Sequence, residues 1–321
     1  MPTMLHIIEE SFAKLGCGLD GALTEGKFDD YIIYNNVVHE ATSDNQPNQP
    51  YRPDTYDLSN HAPDMELKDM VACLFGSRGI VFEKCGETIQ TRYVSDILNT
   101  KRDDWTKYSS DYSCTGKESE GYTIPEKRDD NDNCMEEGQL ETVTIGEGEK
   151  DIELTLGTLP MKENLNNVYT QPLTADYWLT ACTNQVGTSP VWGTSEDFCF
   201  RVLQYGGMQP DSSGNLYPFA TSLTDNYDGV RLFPCSTQLA GDDGVYENFL
   251  KEMYNIRCNT DSLAMQLPIC THDLIKELRF LEPRKRVCTS TGVANVVIEE
   301  IKITMTCDYV EPPTFSFRIE C

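Results

Sequence analysis

Adjacent carboxylates are the commonest side chains in this sequence that could do acid–base chemistry, as at Asp242–Asp243 and Glu299–Glu300. Glycosidases use two such groups, held about 5 to 9.5 Å apart on either side of the scissile bond. The chain has 52 Asp and Glu residues, so adjacency between two of them singles out no pair. The acids alone therefore predict no catalytic site.

Neither the histidines nor the cysteines have the spacing of a metal site. His6, His39, His61 and His272 include no H-x-x-x-H or H-E-x-x-H motif, and the 13 cysteines include no C-x-x-C. Zinc sites use such spacings because one turn must present two ligands to the same ion. We expect neither metal nor cofactor, and we expect several cysteines, such as Cys73, to be small buried apolar residues.

One acidic segment matches part of a calcium-binding loop. Asp129, Asn131 and Asn133 occupy the first three ligand positions of such a loop. Cys134 stands where the loop needs Gly, and Leu140 stands where it needs a bidentate Glu. A solvated acidic loop is the expectation here, and incidental binding of a divalent cation is the alternative.

Glycine-rich stretches match phosphate and nucleophile motifs only in part. Residues 16–21 read G-x-G-x-x-G, but the dinucleotide fingerprint needs a strand before it and a helix after it. A predicted helix precedes this stretch, so we expect a helix end and a turn. Residues 187–191 are no nucleophile elbow, because Pro190 stands where the helix would begin.

Aromatic residues allow two further interpretations. Tyr177, Trp178, Trp192 and Tyr205 could stack on sugars in a carbohydrate-binding or carbohydrate-active protein, although such residues more commonly anchor cores and interfaces. Residues 103–105, Asp-Asp-Trp, predict either an exposed turn leading into a buried Trp or an anchor between subunits. The sequence does not separate these last two possibilities.

Composition limits the class of partner. The net charge is −26, with 26 Lys and Arg against 52 Asp and Glu, whereas nucleic-acid binding depends on Lys and Arg that neutralise phosphates. We therefore expect neither specific nucleic-acid binding nor membrane insertion. The N-terminus has no basic segment before an apolar one, and no stretch approaches 18 apolar residues. These features predict a protein made in the cytoplasm.

Periodicity predicts a mixed chain. Apolar steps of three and four residues predict helices over 5–15, 64–75, 244–257 and 271–278. Alternation predicts strands over 30–38, 80–83, 88–94, 141–145, 151–156, 198–205, 264–267, 293–307 and 314–319. The helix over 64–75 and the hairpin after it form a small α+β module, and the last two strands are expected to pair.

An acidic stretch suggests how the chain is organised. Residues 109–151 hold many acids, Gly, Ser and Asn without helical periodicity, which is typical of a long exposed loop or extended hairpin. We predict helix-and-hairpin modules over 1–108, the acidic segment over 109–150 and a β-rich region with two short helices over 151–321. The expected class is an α+β, β-rich multi-domain chain.

Four stretches of the sequence, residues 5–38, 61–105, 200–220 and 241–252, carry recognisable motifs. The first has a helix, a Leu-Gly turn and an Asn-Asn strand end, and the second a Pro-Asp, helix, Phe-Gly, strand module. The third has a strand followed by an aromatic and Gly, and the fourth a Gly-acid-Gly turn that opens an aromatic-rich helix. Taken together, they resemble a family of tail proteins from phages and prophages of Bacteroidales-type bacteria, encoded near the tape-measure gene.

The resemblance implies a structural component of a phage tail tip or baseplate, similar in architecture to the hub proteins of long-tailed phages. Such proteins act by assembling with one another and with other tail proteins, often as rings, and catalyse no reaction. It implies a homo-oligomer located in the virion tail. A soluble domain that belongs to no particle remains a further possibility.

Overall fold

The structure is a computed structural model of the chain. It describes residues 3–34, 65–108, 112–115, 121–126, 141–148, 150–152, 154, 156–158, 162–163, 169–170, 201–210, 214, 216–226, 228–269, 274, 282–304 and 311–320. Within these ranges the chain is a mixed α+β protein, rich in strands and built from several small sheets. The predicted α+β class is confirmed at this level.

The described helices include those predicted over 5–15, 64–75 and 244–257, together with a short helix over 94–98 that periodicity did not predict. They are α1 (Met4–Lys14), α2 (Leu67–Ser77), α3 (Val94–Leu98), a π-helical turn (Tyr246–Leu250) and α4 (Lys251–Asn259). The Thr3 hydroxyl caps the start of α1 by accepting the His6 N–H, and Gly16 follows its end with φ of +73°. Leu15 is exposed because the helix ends one residue earlier, although periodicity placed it on the apolar face.

Strands make up most of the remaining described chain. They are β1 (Gly18–Gly21), β2 (Tyr31–Tyr34), β3 (Ile80–Cys85), β4 (Thr88–Tyr93), β5 (Asp103–Asp104), β6 (Tyr112–Thr115), β7 (Tyr122–Pro125), β8 (Thr142–Ile145), β9 (Lys150–Asp151), β10 (Gly157–Thr158), β11 (Lys162–Glu163), β12 (Tyr169–Thr170), β13 (Arg201–Pro210), β14 (Leu216–Thr221), β15 (Ser262–Gln266), β16 (Arg284–Thr289), β17 (Gly292–Lys302) and β18 (Thr314–Ile319). The predicted hairpin is β3 and β4, which pair antiparallel, and the predicted final pair is β17 and β18.

Sheet partners come from distant parts of the sequence. The largest sheet has the order β5-β16-β17-β18-β15-β6, so two strands before residue 116 border strands after residue 261. Strand β13 pairs antiparallel with β2 and β14 and parallel with β10. In another sheet, β1 runs parallel to β4. Pairing therefore joins strands from the first half of the chain to strands from the second half. The predicted domain boundaries stay a prediction.

The buried apolar residues that the structure describes form two clusters. Core 1 joins α1, α2, β7, the π-helical turn and α4, with Ile8, Leu74 and Phe249 among its members. Core 2 lies against the largest sheet and includes Trp105 and Phe315, whose ring centroids are 5.6 Å apart. The buried Trp, one of the two alternatives for residues 103–105, is thus confirmed, and the two residues before it form β5 rather than a turn.

Strands β13 and β14 form a ribbon that extends beyond its sheet. Past Gln204, β13 pairs only with β14 among the described strands. A one-residue bulge lies between Tyr205 and Met208, where Gly207 has a φ of +75°, a conformation that favours glycine. Beyond the bulge, Met208 and Leu216 share one face of the ribbon and are 51% and 64% exposed.

Several predicted elements differ from the structure. The acidic segment is not exposed throughout, because β6 joins the largest sheet and Tyr122, Ile124 and Ile145 of β7 and β8 are buried in core 1. Residues 16–21 continue into β1 rather than a plain turn, and only Asp151 of the predicted strand over 151–156 lies in a strand among the described residues. The helix predicted over 244–257 contains the π-helical turn. Its extra residue rotates the apolar face, so Tyr254 and Cys258 are buried where Met253 and Ile256 were expected.

Several predictions lie outside the described residues. These are the helix over 271–278 except Leu274, the strand ends at 35–38, 198–200 and 305–307, and most of the acidic segment over 109–150. In the part of the chain that is described, no helix has both the length and the apolar character to cross a bilayer.

Candidate functional site

A small cavity lies in core 1, between the end of α2 and the segment that leads into the π-helical turn. Its volume is about 10 Å³, which is the least that one water molecule needs. Two ionisable side chains and five others line it: Arg78, Glu126, Leu154, Leu156, Thr237, Leu239 and Val245. We call it the Arg78 cavity.

Local sequence explains why a cation reaches this position. Helix α2 buries Met70 and Leu74, and Arg78 caps its C-terminus by donating its backbone N–H to the Leu74 and Phe75 carbonyls. Gly79 follows with φ of +56°, and a Cβ at that position would lie 2.5 Å from the Phe249 carbonyl oxygen. The glycine therefore lets α2 end directly against the π-helical turn, which holds the Arg78 side chain inside.

Arg78 is 2% exposed as a whole residue, and its side chain makes few polar contacts. Its Nε donates to the Tyr31 hydroxyl and its Nη1 to the Ser77 carbonyl, both at 3.4 Å. It also lies 5.5 Å from the centroid of the Tyr31 ring and 5.9 Å from that of Phe249. Among the described residues, no carboxylate lies within ion-pairing distance of it.

An aromatic group surrounds this guanidinium. Phe28 contacts the Tyr31 ring edge to face at 5.2 Å, and the Tyr93 and Phe249 rings lie 5.7 Å apart. Burial raises the pKa of the Tyr31 and Tyr93 hydroxyls, so both stay protonated at neutral pH. Lys27 covers the group from the exposed side, with its Nζ 4.4 Å from the Tyr93 centroid.

Glu126 brings a carboxylate to the same cavity. Its Oε1 accepts the Leu239 backbone N–H at 2.6 Å, and its Oε2 accepts the Glu141 backbone N–H at 3.2 Å. Burial raises the pKa of the Glu126 carboxyl, and the two backbone donors oppose that rise. The carboxylate thus ties β7 to the segment before the π-helical turn, 113 residues away in the sequence.

A buried thiol lies near the guanidinium but is a poor nucleophile. Cys235 is buried, and burial raises the pKa of its thiol in spite of the positive charges of Arg78 and Lys27. Nucleophilic cysteines react as thiolates, which this environment disfavours. The described residues around the Arg78 cavity therefore include no nucleophile prepared for reaction.

Core 2 contains a second buried cation, in a different setting. The Lys285 ammonium is fully buried, forms an ion pair with Asp103 and donates to the Glu282 carbonyl at 2.9 Å. It also lies 4.9 Å from the centroid of the Trp105 ring. This cation is satisfied within the protein, so the cluster stabilises core 2 and binds nothing further.

The acidic pairs of the sequence do not converge on a shared site. Asp243 forms an ion pair with Arg231 at 2.8 Å, and Glu299 forms one with Arg318 at 2.8 Å. His6 is exposed on α1, and no three His, Cys, Asp or Glu side chains in the described ranges are grouped to hold a metal ion.

Many of the sequence candidates lie outside the described residues. These are His39, His61, His272, Tyr177, Trp178, Trp192 and residues 129–134 and 187–191. Tyr205 of the sugar-stacking set is half-buried on β13, where its backbone N–H donates to the Asp30 carbonyl at 2.8 Å. Cys73 is buried, as expected.

Sequence reasoning missed both ionisable residues of the Arg78 cavity. The one local signal for Arg78 is its place between an apolar helix and a glycine, which marks a helix end where the side chain can turn inward. Glu126 gave no signal, since its partners lie at positions 141 and 239. A comparison of the chain with protein-family models, with curated proteins and with solved structures finds no match in any of the three.

Proposed function

We propose that this chain is a structural component of a phage tail tip or baseplate that works through contacts with copies of itself and with other tail proteins. The resemblance carried by residues 5–38, 61–105, 200–220 and 241–252 supports this kind of assembly. The observation that carries the proposal is the ribbon of β13 and β14, whose exposed apolar face suits a contact between subunits.

The ribbon is unusual in this chain because it is poor in charge. Between Tyr205 and Pro218, Asp211 is the one charged residue, whereas 24% of the whole chain is charged. A net charge of −26 makes copies of the chain repel one another. Subunits therefore associate best where acids are sparse and apolar side chains are exposed.

A second exposed apolar feature lies on β3. This strand forms one edge of the sheet β1-β4-β3, so one side of its backbone has no partner among the described strands. Phe82, in the middle of β3, is 55% exposed while its ring packs edge to face on Phe75 at 5.3 Å. Edge strands with exposed aromatics commonly pair with another chain.

Light scattering after size-exclusion chromatography tests the proposal. We expect the wild type to form oligomers, alone or with the products of neighbouring tail genes, more strongly at high salt because salt screens the repulsion. Met208→Asp combined with Leu216→Asp should return the mass to that of a monomer. Val293→Asp is the matched control, since Val293 is 54% exposed on β17.

Three results would contradict this function. One is a monomeric wild type under every condition, including with its neighbours, and another is unchanged assembly of the ribbon variant. The third is saturable binding of glycans by calorimetry, which the carbohydrate-binding alternative predicts. No described residue favours that alternative, because Tyr205 is half-buried and the remaining aromatics of its set lie outside the described ranges.

A further inference from the structure

We propose that β3 pairs with β3 of a second copy of this chain, antiparallel and about a two-fold axis at Phe82. The inference rests on the proposed function, because it names the partner and the geometry of one contact in that assembly. The contact is separate from the ribbon of β13 and β14, since it lies at the free edge of the sheet β1-β4-β3.

The backbone of β3 presents hydrogen-bonding groups at that edge. The Val94 N–H donates to the Gly79 carbonyl at 2.7 Å, immediately before the first residue pair of β3 and β4. Bonded and unbonded residue pairs alternate along an antiparallel ladder. Residues 81, 83 and 85 therefore bond to β4, whereas the backbone groups of Phe82 and Lys84 point toward the free edge. An added strand can bond to them there.

Phe82 lies where it can join the apolar layers of two copies. It is opposite the buried Thr91, so its side chain is on the core-facing side of the sheet. The ring packs on Phe75 of α2, yet Phe82 is 55% exposed at the edge of the sheet. About an axis at Phe82 the two rings meet. Packing on Phe75 orders each ring in advance, which lowers the entropy cost of the contact.

The β3–β4 hairpin is neutral, unlike the chain as a whole. Residues 80–93 hold two acids, Glu83 and Glu87, and two bases, Lys84 and Arg92, whereas the net charge of the chain is −26. Charge repulsion between copies is therefore weakest where they meet through this hairpin. The partner that suits such an edge is another copy of the same neutral hairpin.

The charges also select the register. An axis at Glu83 or at Lys84 would place like charges directly opposite each other, which destabilises a strand pair. An axis at Phe82 places Glu83 opposite Val81 of the second copy, and Arg92 follows Val81 in the same cross-strand row. Each such row then holds one acid and one base, one from each copy.

This dimer should be weak. A ladder over residues 80–84 buries much less than the roughly 1,200 Å² of a stable interface, so the dimer should dissociate at the dilution of a chromatography column. Met208→Asp combined with Leu216→Asp, which removes the ribbon contact, is therefore the background for the test. Sedimentation equilibrium should show that ribbon variant to dimerise as its concentration rises.

Two substitutions in that background test the pairing. Phe82→Asp should weaken dimerisation by at least about tenfold, because it places a charge at the axis. Lys84→Pro should have a similar effect, since it removes an N–H at the free edge and no bond to β4. Lys84→Gln is the matched control, because it keeps that N–H, and it should dimerise nearly as the parent does.

Position 81 tests the register, because it lies opposite Glu83 of the second copy. Val81→Lys should strengthen the dimer several-fold and Val81→Glu should weaken it, and high salt should reduce both effects. Gln90→Lys is the matched control, since it adds the same charge on β4, away from the added strand. Equal strengthening by Gln90→Lys would contradict the register.

Amide hydrogen exchange gives a signature of the pairing. Exchange at Phe82 and Lys84 should slow as the concentration of the ribbon variant rises, whereas Val81 and Glu83 should not change because they already bond to β4. A ribbon variant that stays monomeric at every concentration, or that dimerises without this slowing, would overturn the inference.

Neither of those results bears on assembly through the ribbon, which light scattering on the wild type measures. A wild type that remains monomeric by light scattering under every condition, even with its neighbours, would contradict the proposed function whether or not β3 pairs at high concentration. Failure of the β3 contact and failure of the proposed function are therefore distinguishable.

Discussion

Arg78 and Lys285 are buried cations of the described residues, and they differ in their partners. Lys285 in core 2 has an ion pair with Asp103, a carbonyl acceptor at 2.9 Å and the Trp105 ring beside it. Arg78 in core 1 has two long hydrogen bonds and a cavity. Each cation is near an aromatic ring, so what differs between them is the presence of a counter-charge.

This difference decides what a substitution costs at each site. A buried ion pair contributes little net stability but becomes costly when one partner is removed. A buried cation without an anionic partner has no such partner to lose. The comparison predicts that changes near Lys285 alter stability strongly, whereas changes near Arg78 alter it less.

The largest effect should follow from breaking the Lys285 pair. Asp103→Ala leaves the fully buried ammonium without its carboxylate, which should lower the free energy of unfolding by about 3 kcal/mol in urea titrations. Adding Lys285→Met should restore much of that loss, because it removes the uncompensated charge. The neighbouring Asp104→Ala is the control, and an equal effect there would contradict the role of the pair.

The next effect concerns pH and Glu126. Burial raises the folded-state pKa of this carboxyl above its ordinary value of 4.5. The native state therefore keeps its proton when the unfolded state has lost it, and stability falls as the pH rises from 4.5 through the raised pKa. Each unit of rise corresponds to about 1.4 kcal/mol.

Glu126→Gln should remove this pH dependence, so the variant gains stability relative to the wild type as the pH rises. Urea titrations between pH 4 and pH 7 measure the difference. Glu66→Gln is the control, since the Glu66 side chain is exposed. Parallel curves for the wild type and Glu126→Gln would show that burial does not perturb this group.

A smaller effect is expected at Arg78 itself. Arg78→Met removes an uncompensated charge and two long hydrogen bonds, so the free energy of unfolding should change by about 1 kcal/mol or less in urea titrations. A loss as large as that of Asp103→Ala would contradict this difference between the two cations.

The smallest effect should come from the exposed cation of the same group. Lys27 lies 4.4 Å from the Tyr93 centroid and is open to solvent, so Lys27→Gln should cost about 0.5 kcal/mol, as exposed cation–π contacts do. Thermal unfolding at low and high salt measures it. A cost comparable to that at Asp103 would contradict this ranking by burial.

Local patterns explain which elements sequence reasoning found. The β3–β4 hairpin was predicted because two apolar runs flank a short turn, and the β17–β18 pair because two alternating stretches follow each other in the sequence. Strand β1 was missed because four residues containing two glycines show no alternation, and its partner β4 lies about 70 residues away. The π-helical turn was missed because one extra residue hardly changes a period of 3.6.

The candidate site could not be predicted in the same way. Arg78, Glu126 and Leu239 come together only through long-range packing, and none of them has a motif around it. Arg78 is buried because Gly79 lets the π-helical turn pack directly against the end of α2. The acid pairs and the glycine motifs are the features that a search of the sequence finds first, and both proved uninformative. Adjacent acids carry no signal because acids are so abundant in this chain.

The interleaved strand order of the largest sheet has a consequence for synthesis on the ribosome. Asp103 and Lys285 are 182 residues apart, and ribosomes add about 5 to 20 residues per second. The segment around β5 and β6 therefore waits about 10 to 40 seconds before its neighbours emerge. During that interval Trp105 has no interior to enter, so nascent chains should depend on holding chaperones more than a chain with sequential strand pairing would.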